Sequence, residues 1–434
     1  MKFSPKIEEF NLPDSLQKDC AVVIPTVGAT RWCNYGEHNY YFLNFKTLKG
    51  FKITLTHSEI IKPGFKKFTK SNYKNYKIFP KTRSLFQEYH YGFNFLEQIM
   101  LMTVPHTVTE ICDGRFFINL WSYFGYIDID CNTKEVFYRQ LDDTHNDYVL
   151  GSQQVWDEEN KSRYYMTYSL TDSMQKVKNV NNTVHCKVIK ENSQHENNII
   201  WEGEFTDYIH DMIIDKNNQY CIISELGMHK NSEGEMIPSE VLIIDMINQK
   251  EWKIGGFMVA AHAQFDPVET GIVYFSNHNF EFEHNNIFKA LKNAMYKIHF
   301  KGAASVFKYR LTENGPQKVA EFTDPDFFRL TNFHVFNHRG QKILVAMGFP
   351  NYLYVADAET MEKIKRIEVN HPNSKISCSI GTFSPSPDGE KLFVHTNGAF
   401  LEVDIETAQI EVVMDHKKVH SCSNHMITST DVTW

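Results

Sequence analysis

The sequence lacks the features of a secreted or membrane protein. It has no run of about 18 consecutive apolar residues, so it predicts no membrane-spanning helix. The N-terminal stretch MKFSPKIEEFNLPDSLQ contains acidic residues and no apolar centre, unlike a secretory signal peptide. The eight cysteines include no CxxC pair, a pattern typical of reduced thiols rather than of a disulfide framework or a structural zinc site. We therefore expect a cytoplasmic protein.

An excess of positive charge is also missing, because the formal net charge is −8 at pH 7. The chain as a whole is therefore not expected to bind nucleic acid. There is no GxSxG nucleophile elbow, no GxxxxGK[ST] phosphate loop, no GxGxxG after a strand and no HExxH zinc motif. These absences argue against the common hydrolase, nucleotide-binding and metalloprotease signatures.

The feature that the sequence does contain is a weak internal repeat. Its clearest copy, GTFSPSPDGEKLFVHTNGAFLEVDIETAQIEVV (381–413), has four short strand-like segments separated by turns at Asp388-Gly389, Asn397-Gly398 and Glu406-Thr407. A second copy spans 332–369, where the turn at Arg339-Gly340 aligns with Asp388-Gly389. Each copy predicts a four-stranded antiparallel meander, and the aromatic content of 14% also favours β structure.

Aligned first strands place equivalent residues at positions 106, 153, 210, 262, 334 and 382, with steps of 47, 57, 52, 72 and 48. Steps of this size are typical of propeller blades. The segment 39–55 resembles the last two strands of a blade, and the C-terminal stretch resembles a first strand without followers. We therefore predict one all-β domain over residues 1–434, a seven-bladed β-propeller in which N- and C-terminal strands share the closing blade.

Two segments do not fit the repeat. Residues 57–101 form a basic and aromatic insertion, predicted to include a short helix, in which Lys66, Lys67 and Lys70 are candidates for contact with an anionic ligand or a membrane surface. The alternative is an ordinary solvated excursion. Residues 280–300 contain apolar residues at helical spacing, which predicts a lid-like helical insertion.

Histidines occupy the same position in several repeats. His106, His210, His262 and His334 all begin a first strand, whereas two other units carry Gln153 and Thr382 there. First strands line the axis of a propeller, so these side chains are expected to converge. Neutral imidazole is a good ligand for iron, copper, zinc and nickel, which makes this set a candidate metal site. A single inward histidine would more often be an ordinary channel residue.

The sequence does not define which histidine the closing blade contributes to the candidate metal site, and it offers several residues that could support the ligands. The closing blade offers His420 or His425, whose register the sequence does not define. Glu110 and Asp266 each follow a histidine by four residues and therefore point to the same side of the strand, as a carboxylate supporting an imidazole would. Asp266 could instead shape the turn that ends its strand, and Asp211 is expected to face away from His210 and to bond a neighbouring blade.

Three short motifs resemble those of the carotenoid cleavage oxygenases. AAHAQFDPVETG (260–271) is similar to the AHPxxDPxTG stretch of that family, YIHDMII (208–214) to its MHDFxIT stretch, and NFHVFN (332–337) to its HxxN stretch. The first two occur here in the reverse order. The resemblance implies a seven-bladed propeller that holds iron(II) with four histidines, among them His262, His210 and His334, the last with Asn337 close by. The fourth ligand would be His106, or else His420 or His425.

Three functions follow as hypotheses. The first is a non-haem iron oxygenase that acts on an apolar unsaturated or aromatic small molecule. The second is a lyase or isomerase that uses Mn²⁺ or another divalent metal as a Lewis acid, with Gln153 or Gln154 as a further ligand. The third is a propeller that binds a partner without catalysis. Oxygen-dependent turnover would separate the first from the second, and the oligomeric state is left open.

Overall fold

The structure, a computed structural model, describes most of the chain. The described residues are 1–28, 37–56, 59–60, 104–121, 125–141, 148–169, 172, 182–206, 209–225, 238–260, 262–278, 280–282, 298–300, 303–327, 332–348, 351–373, 380–416, 419–420 and 425–434. The basic segment with Lys66, Lys67 and Lys70 lies outside these ranges.

Thirty-two strands form seven blades and one small ribbon within this part of the chain. The N-terminal strands are β1 (Lys6–Asn11), β2 (Ala21–Gly28), β3 (Glu37–Asn44) and β4 (Lys49–Thr56), with a short 3₁₀ helix at Asp14–Leu16. The first complete blade consists of β5 (Val104–Cys112), β6 (Arg115–Trp121), β7 (Gly125–Asp130) and β8 (Glu135–Gln140). The second consists of β9 (Tyr148–Asp157), β10 (Ser162–Ser169), β11 (Val184–Glu191) and β12 (Asn197–Phe205).

The next two blades follow the same antiparallel order. The third consists of β13 (Ile209–Ile214), β14 (Tyr220–Glu225), β15 (Ser239–Asp245) and β16 (Lys250–Phe257). The fourth contains β17 (Ala263–Phe265) and β18 (Ile272–Asn277), then the ribbon of β19 (Phe280–Phe282) and β20 (Ile298–Phe300), and then β21 (Ser305–Thr312) and β22 (Gly315–Thr323). The ends of the predicted 280–300 helical insertion are thus strands, and its middle lies outside the described residues.

The last two complete blades and the C-terminal strands finish the ring. The fifth blade consists of β23 (Phe333–His338), β24 (Gln341–Gly348), β25 (Tyr352–Asp357) and β26 (Lys363–Glu368). The sixth consists of β27 (Ile380–Pro385), β28 (Lys391–Thr396), β29 (Ala399–Asp404) and β30 (Ile410–Asp415). The chain ends with β31 (Val419–His420) and β32 (Ile427–Ser429), which both pair with β2.

The closing blade therefore joins the two ends of the chain, as the sequence predicted. Its strand order is β1-β4-β3-β2, with β31 and β32 as the innermost strands. The sequence repeat identified β3, β4 and the C-terminal strand but missed β1 and β2. The repeat also placed the first strand correctly in all six complete blades, because positions 106, 153, 210, 334 and 382 lie in β5, β9, β13, β23 and β27, and 262 directly precedes β17.

Burial within each blade follows from its position between two neighbours. The second strands are covered on both faces, so every residue of β10, β14 and β18 is buried. The outer strands face solvent on one side, and in β12 and β26 most residues are at least partly exposed. Aromatic side chains fill the seam between the closing blade and the first complete blade, where Trp434 packs edge-on against Phe42, Phe51 and Phe116 with ring centroids 6.0 Å apart.

One turn glycine that the repeat aligned also joins two blades. Gly389 has a φ of 70°, and a side chain there would collide with the backbone carbonyl of Asn337 in the fifth blade. The carbonyl of Gly389 in turn lies 2.8 Å from Nδ1 of His338. The Asp388-Gly389 turn is therefore part of the contact between the fifth and sixth blades as well as a strand connection.

The described cysteines are consistent with the prediction of reduced thiols. All five of them are free: Cys20, Cys112, Cys131, Cys186 and Cys221. Among the described residues, no helix is long and apolar enough to cross a membrane.

Candidate metal centre

Four imidazoles meet near the axis of the propeller. The ring centroids of His106 and His210 are 5.0 Å apart, those of His210 and His262 are 4.8 Å apart, and those of His262 and His425 are 4.8 Å apart. His425 returns to His106 at 5.0 Å, which closes the cycle. We call these four side chains the axial histidine cluster.

Innermost strands and local irregularities place the cluster. His106 lies in β5 where the pairing with β6 shifts between Pro105 and Val108, and His210 is the extra residue of a bulge between Ile209 and Asp211. Bulges are known to redirect side chains near functional sites. Here they interrupt the regular alternation of the strands at the residues that face the axis.

The other two members are held by backbone contacts. His262 directly precedes β17, and its N–H donates to Oγ of Ser276 at 2.8 Å while its carbonyl accepts from the Ser276 N–H at 2.8 Å. The N–H of His425 donates to the carbonyl of His106 at 2.7 Å, beside an isolated parallel bridge to Thr107. Two members of the cluster that are far apart in the sequence are thereby tied to each other.

Burial lowers the pKa of two of these imidazoles, those of His106 and His425. His106, His210 and His262 are each at most 5% exposed. Burial and the nearby His262 lower the pKa of His106 to about 3, although a hydrogen bond with the backbone of Ser152 raises it in part. Burial, then His262, His106, His210 and His334, lower the pKa of His425 well below its usual value. Neutral imidazole is the form that binds a metal ion.

The polar atoms around the cluster fit a cation. Nε2 of His425 is buried and has no hydrogen-bond partner among the described residues, a costly arrangement for a polar atom. Oδ2 of Asp211 lies 3.7 Å from Nδ1 of His262, a buried nitrogen that has no hydrogen-bond partner among the described residues. The potential ligand atoms of His210, Asp211 and His262 lie within 4.8 Å of one another. The donor set is rich in imidazole nitrogen, which suits iron, copper, zinc or nickel.

His334 is not part of the cluster, contrary to the set predicted from the repeat. Its Nε2 lies 3.0 Å from the carbonyl of Phe383, and its ring packs edge-on against the Phe383 ring at 5.0 Å. Burial lowers its pKa to about 4, while the hydrogen bond with Phe383 acts in the opposite direction. This nitrogen donates to the neighbouring blade, and His425 is the fourth imidazole of the cycle in the structure.

The two carboxylates predicted to support histidines have other partners. Glu110 accepts a 2.6 Å hydrogen bond from Ser429 of the closing blade. Asp266 forms a 2.7 Å ion pair with Lys342, accepts a 3.0 Å hydrogen bond from the Tyr274 hydroxyl and accepts two further bonds from the turn that follows it. Their spacing was right for one face of a strand, but each side chain reaches a neighbouring element rather than an imidazole. The turn-shaping alternative for Asp266 is the one that the structure shows.

The remaining predicted residues are also outside the cluster. Asn337 is exposed near the end of β23. Gln153 is half-buried in β9, within a register irregularity between Leu150 and Gln154. His420 lies in β31, which pairs with β2 at Val27.

Sequence reasoning missed two neighbours of the site. Asp211, expected to face away from it, approaches His262, although it also makes the predicted bond to the next blade through the N–H of Ala263 at 3.3 Å. His278 follows β18, and its buried ring lies 5.9 Å from that of His262. The signal for Asp211 was its adjacency to His210 combined with the bulge, which the sequence alone does not reveal.

The fold and this cluster define the protein as a seven-bladed β-propeller with four histidines grouped at its axis. Two structures of variants of the apocarotenoid oxygenase from Synechocystis align with TM-scores of 0.57 and 0.55, each at 11% identity over 98% of this chain and 96% of theirs. A putative 6-phosphogluconolactonase from Bacteroides fragilis aligns with a TM-score of 0.50 at 11% identity, over 94% of this chain and 97% of its own.

These likenesses show a shared fold. An apocarotenoid oxygenase is among the similar structures, as the motif resemblance led us to expect. No family model matches the chain, and no curated protein matches its sequence. Because propellers with different activities share this architecture, the function has to be argued from the axial histidine cluster.

Proposed function

We propose that the axial histidine cluster binds a divalent metal ion, iron(II) first of all, and that the protein is a non-haem metal-dependent oxygenase. The observation that carries the proposal is the closed cycle of four imidazoles, three buried and that of His425 half-buried, contributed by three blades and the C-terminal segment. Four imidazoles so close together are a poor arrangement for a hydrophobic core, because a buried polar atom is costly without a partner, and Nε2 of His425 has none among the described residues. A metal ion would supply one partner to all four.

The residues of this chain would serve to hold and orient that ion. His106, His210, His262 and His425 would be its ligands. The innermost strands β5 and β13 position the first two, and backbone hydrogen bonds to Ser276 and His106 position the other two. When bound, iron(II) supplies redox chemistry and open coordination positions of the kind that oxygen activation needs. Burial around the cluster excludes water from the ligand nitrogens and strengthens their interaction with the ion.

The substrate is proposed to be an apolar, unsaturated or aromatic small molecule. The likeness to an apocarotenoid oxygenase supports this class, together with the motifs around His210 and His262. The same likeness to an oxygenase favours the oxygenase reaction over that of a metal-assisted lyase.

Oxygen-dependent turnover tests this proposal. The protein is loaded with iron(II) without oxygen and mixed with an apocarotenal, a long polyene aldehyde, in detergent micelles. We expect loss of the polyene absorbance only after oxygen is admitted, with matching oxygen uptake, and no reaction by His262→Ala. Turnover that is equal with and without oxygen would instead assign the site to a lyase or isomerase, and Mn²⁺ loading would then be compared.

A further inference from the structure

Asp211 is a buried carboxylate with an unusual set of neighbours. It is 1% exposed, and among the described residues no lysine or arginine pairs with it. Its Oδ1 is buried and has no hydrogen-bond partner in the described part of the chain. Its Oδ2 accepts from the N–H of Ala263 at 3.3 Å and lies 3.7 Å from Nδ1 of His262. A carboxylate buried in this way is costly unless a cation is near.

The bulge at His210 explains how Asp211 reaches this place. In a regular strand, adjacent residues point to opposite faces, so His210 and Asp211 could not both approach the axis. The pairing of β13 with β14 shifts between Ile209 and Asp211, which inserts His210 as an extra residue. The potential ligand atoms of both residues therefore lie within 4.8 Å of those of His262. One strand of the third blade supplies a histidine to the cluster and a carboxylate to the histidine of the fourth blade.

We infer that Asp211 is a positioning residue that orients His262 for metal binding across the boundary between the third and fourth blades. This inference rests on the proposed metal site. Nδ1 of His262 has no hydrogen-bond partner among the described residues, and Oδ2 of Asp211 lies 3.7 Å from it. Metal binding through Nε2 would close this distance to a hydrogen bond in which the carboxylate accepts the Nδ1 proton, and that bond would select the tautomer that presents Nε2 as the ligand nitrogen. The second contact, from the N–H of Ala263, holds the carboxylate against the residue that follows His262.

The alternative role for Asp211 is that of a direct ligand. Two observations favour the positioning role. The ring of His262 already lies between His210 and His425, at 4.8 Å from each, so the cycle of four closes without the carboxylate. Oδ2 of Asp211 in the third blade lies 3.7 Å from Nδ1 of His262. When Nε2 of a histidine binds a metal, Nδ1 is the nitrogen that a supporting carboxylate contacts.

Cobalt(II) titration of the full chain tests the inference, since Co²⁺ binds imidazole nitrogen and its visible absorption bands report ligand geometry. The variants are Asp211→Asn, His262→Ala and Asp215→Asn. Asp215 is the matched control because it lies on the same segment, is also buried, and accepts 2.7 Å hydrogen bonds from the N–H groups of Gln219 and Tyr220 rather than from a histidine. Circular dichroism melts verify that each variant is folded.

We expect Asp211→Asn to weaken Co²⁺ binding by about 10- to 100-fold and to shift the absorption bands, as loss of a partner to a ligating histidine does. Asp215→Asn should change the melting temperature but neither the affinity nor the bands. Unchanged affinity and bands in folded Asp211→Asn would overturn the inference, and a loss as large as that of His262→Ala would make Asp211 a ligand instead. If the wild-type chain itself binds no Co²⁺, the proposed metal site fails rather than the role of Asp211.

Discussion

At the scale of single residues, one hydrogen bond separates His334 from the axial histidine cluster. His334 and His425 both lie near His262. Nε2 of His334 donates a hydrogen bond to the Phe383 carbonyl, whereas Nε2 of His425 has no partner among the described residues. The repeat predicted His106, His210 and His262 because one alignment of first strands places all three. It left His425 as an alternative beside His420, since a C-terminal strand that pairs with β2 takes its register from a partner some 400 positions away in the chain.

Single substitutions of His425 and His334 should therefore differ in their effect on metal binding. His425→Ala removes a proposed ligand, so we expect less than stoichiometric iron(II) with a nearly unchanged melting temperature. His334→Ala should keep the metal but lower stability by about 1–3 kcal/mol, because a buried carbonyl loses its partner. Metal analysis and thermal melts check both variants. Metal loss in His334→Ala with full metal in His425→Ala would reverse our assignment.

At the scale of elements, the closing blade shows why some strands escaped prediction. β2 (AVVIPTVG) contains Pro25, which has no N–H to donate to a neighbouring strand. A proline therefore argues against a central strand of a sheet when only the sequence is known. In the described part of the chain, β32 pairs with Ala21–Val23 and β31 with Val27–Gly28, so position 25 lies between the two paired stretches. A local pattern cannot show this arrangement, because both partner segments come from the other end of the chain.

The contact between β32 and the first complete blade is expected to affect the stability of the fold but not metal binding. Ser429 donates to Oε1 of Glu110 at 2.6 Å and accepts from the N–H of Asp431 at 2.9 Å. Burial raises the pKa of Glu110, and this hydrogen bond opposes that effect, so removing it leaves a half-buried carboxyl poorly satisfied. We expect Ser429→Ala to lower stability by about 1–3 kcal/mol, measured as a lower melting temperature, without loss of metal.

The control for Ser429→Ala is Thr433→Ala. Thr433 also bonds Asp431 but is exposed, so its removal should change stability by less than about 0.5 kcal/mol. Equal melting temperatures for the two variants would contradict the role that we give to the buried contact, as would loss of metal in Ser429→Ala.

At the scale of the whole molecule, repetition made the fold predictable, and convergence of blades made the site partly so. Blade length, turn residues and alternating strands repeat along the chain, so six first strands and the shared closing blade could be derived from the sequence. Contacts between blades do not repeat. The Asp211–His262 approach, the Asp266–Lys342 ion pair and the Ser429–Glu110 hydrogen bond each join different elements, and they explain why Glu110 and Asp266 were assigned to the wrong neighbours.

The metal content of the full chain tests the central claim most directly. The protein is purified without chelators, incubated with iron(II) in the absence of oxygen, separated from free metal and analysed for iron per chain. We predict one iron per wild-type chain, and much less than one for each of the folded variants His106→Ala, His210→Ala, His262→Ala and His425→Ala. A wild-type chain that holds no stoichiometric metal, or four variants that hold as much as wild type, would contradict a metal centre at the axial histidine cluster.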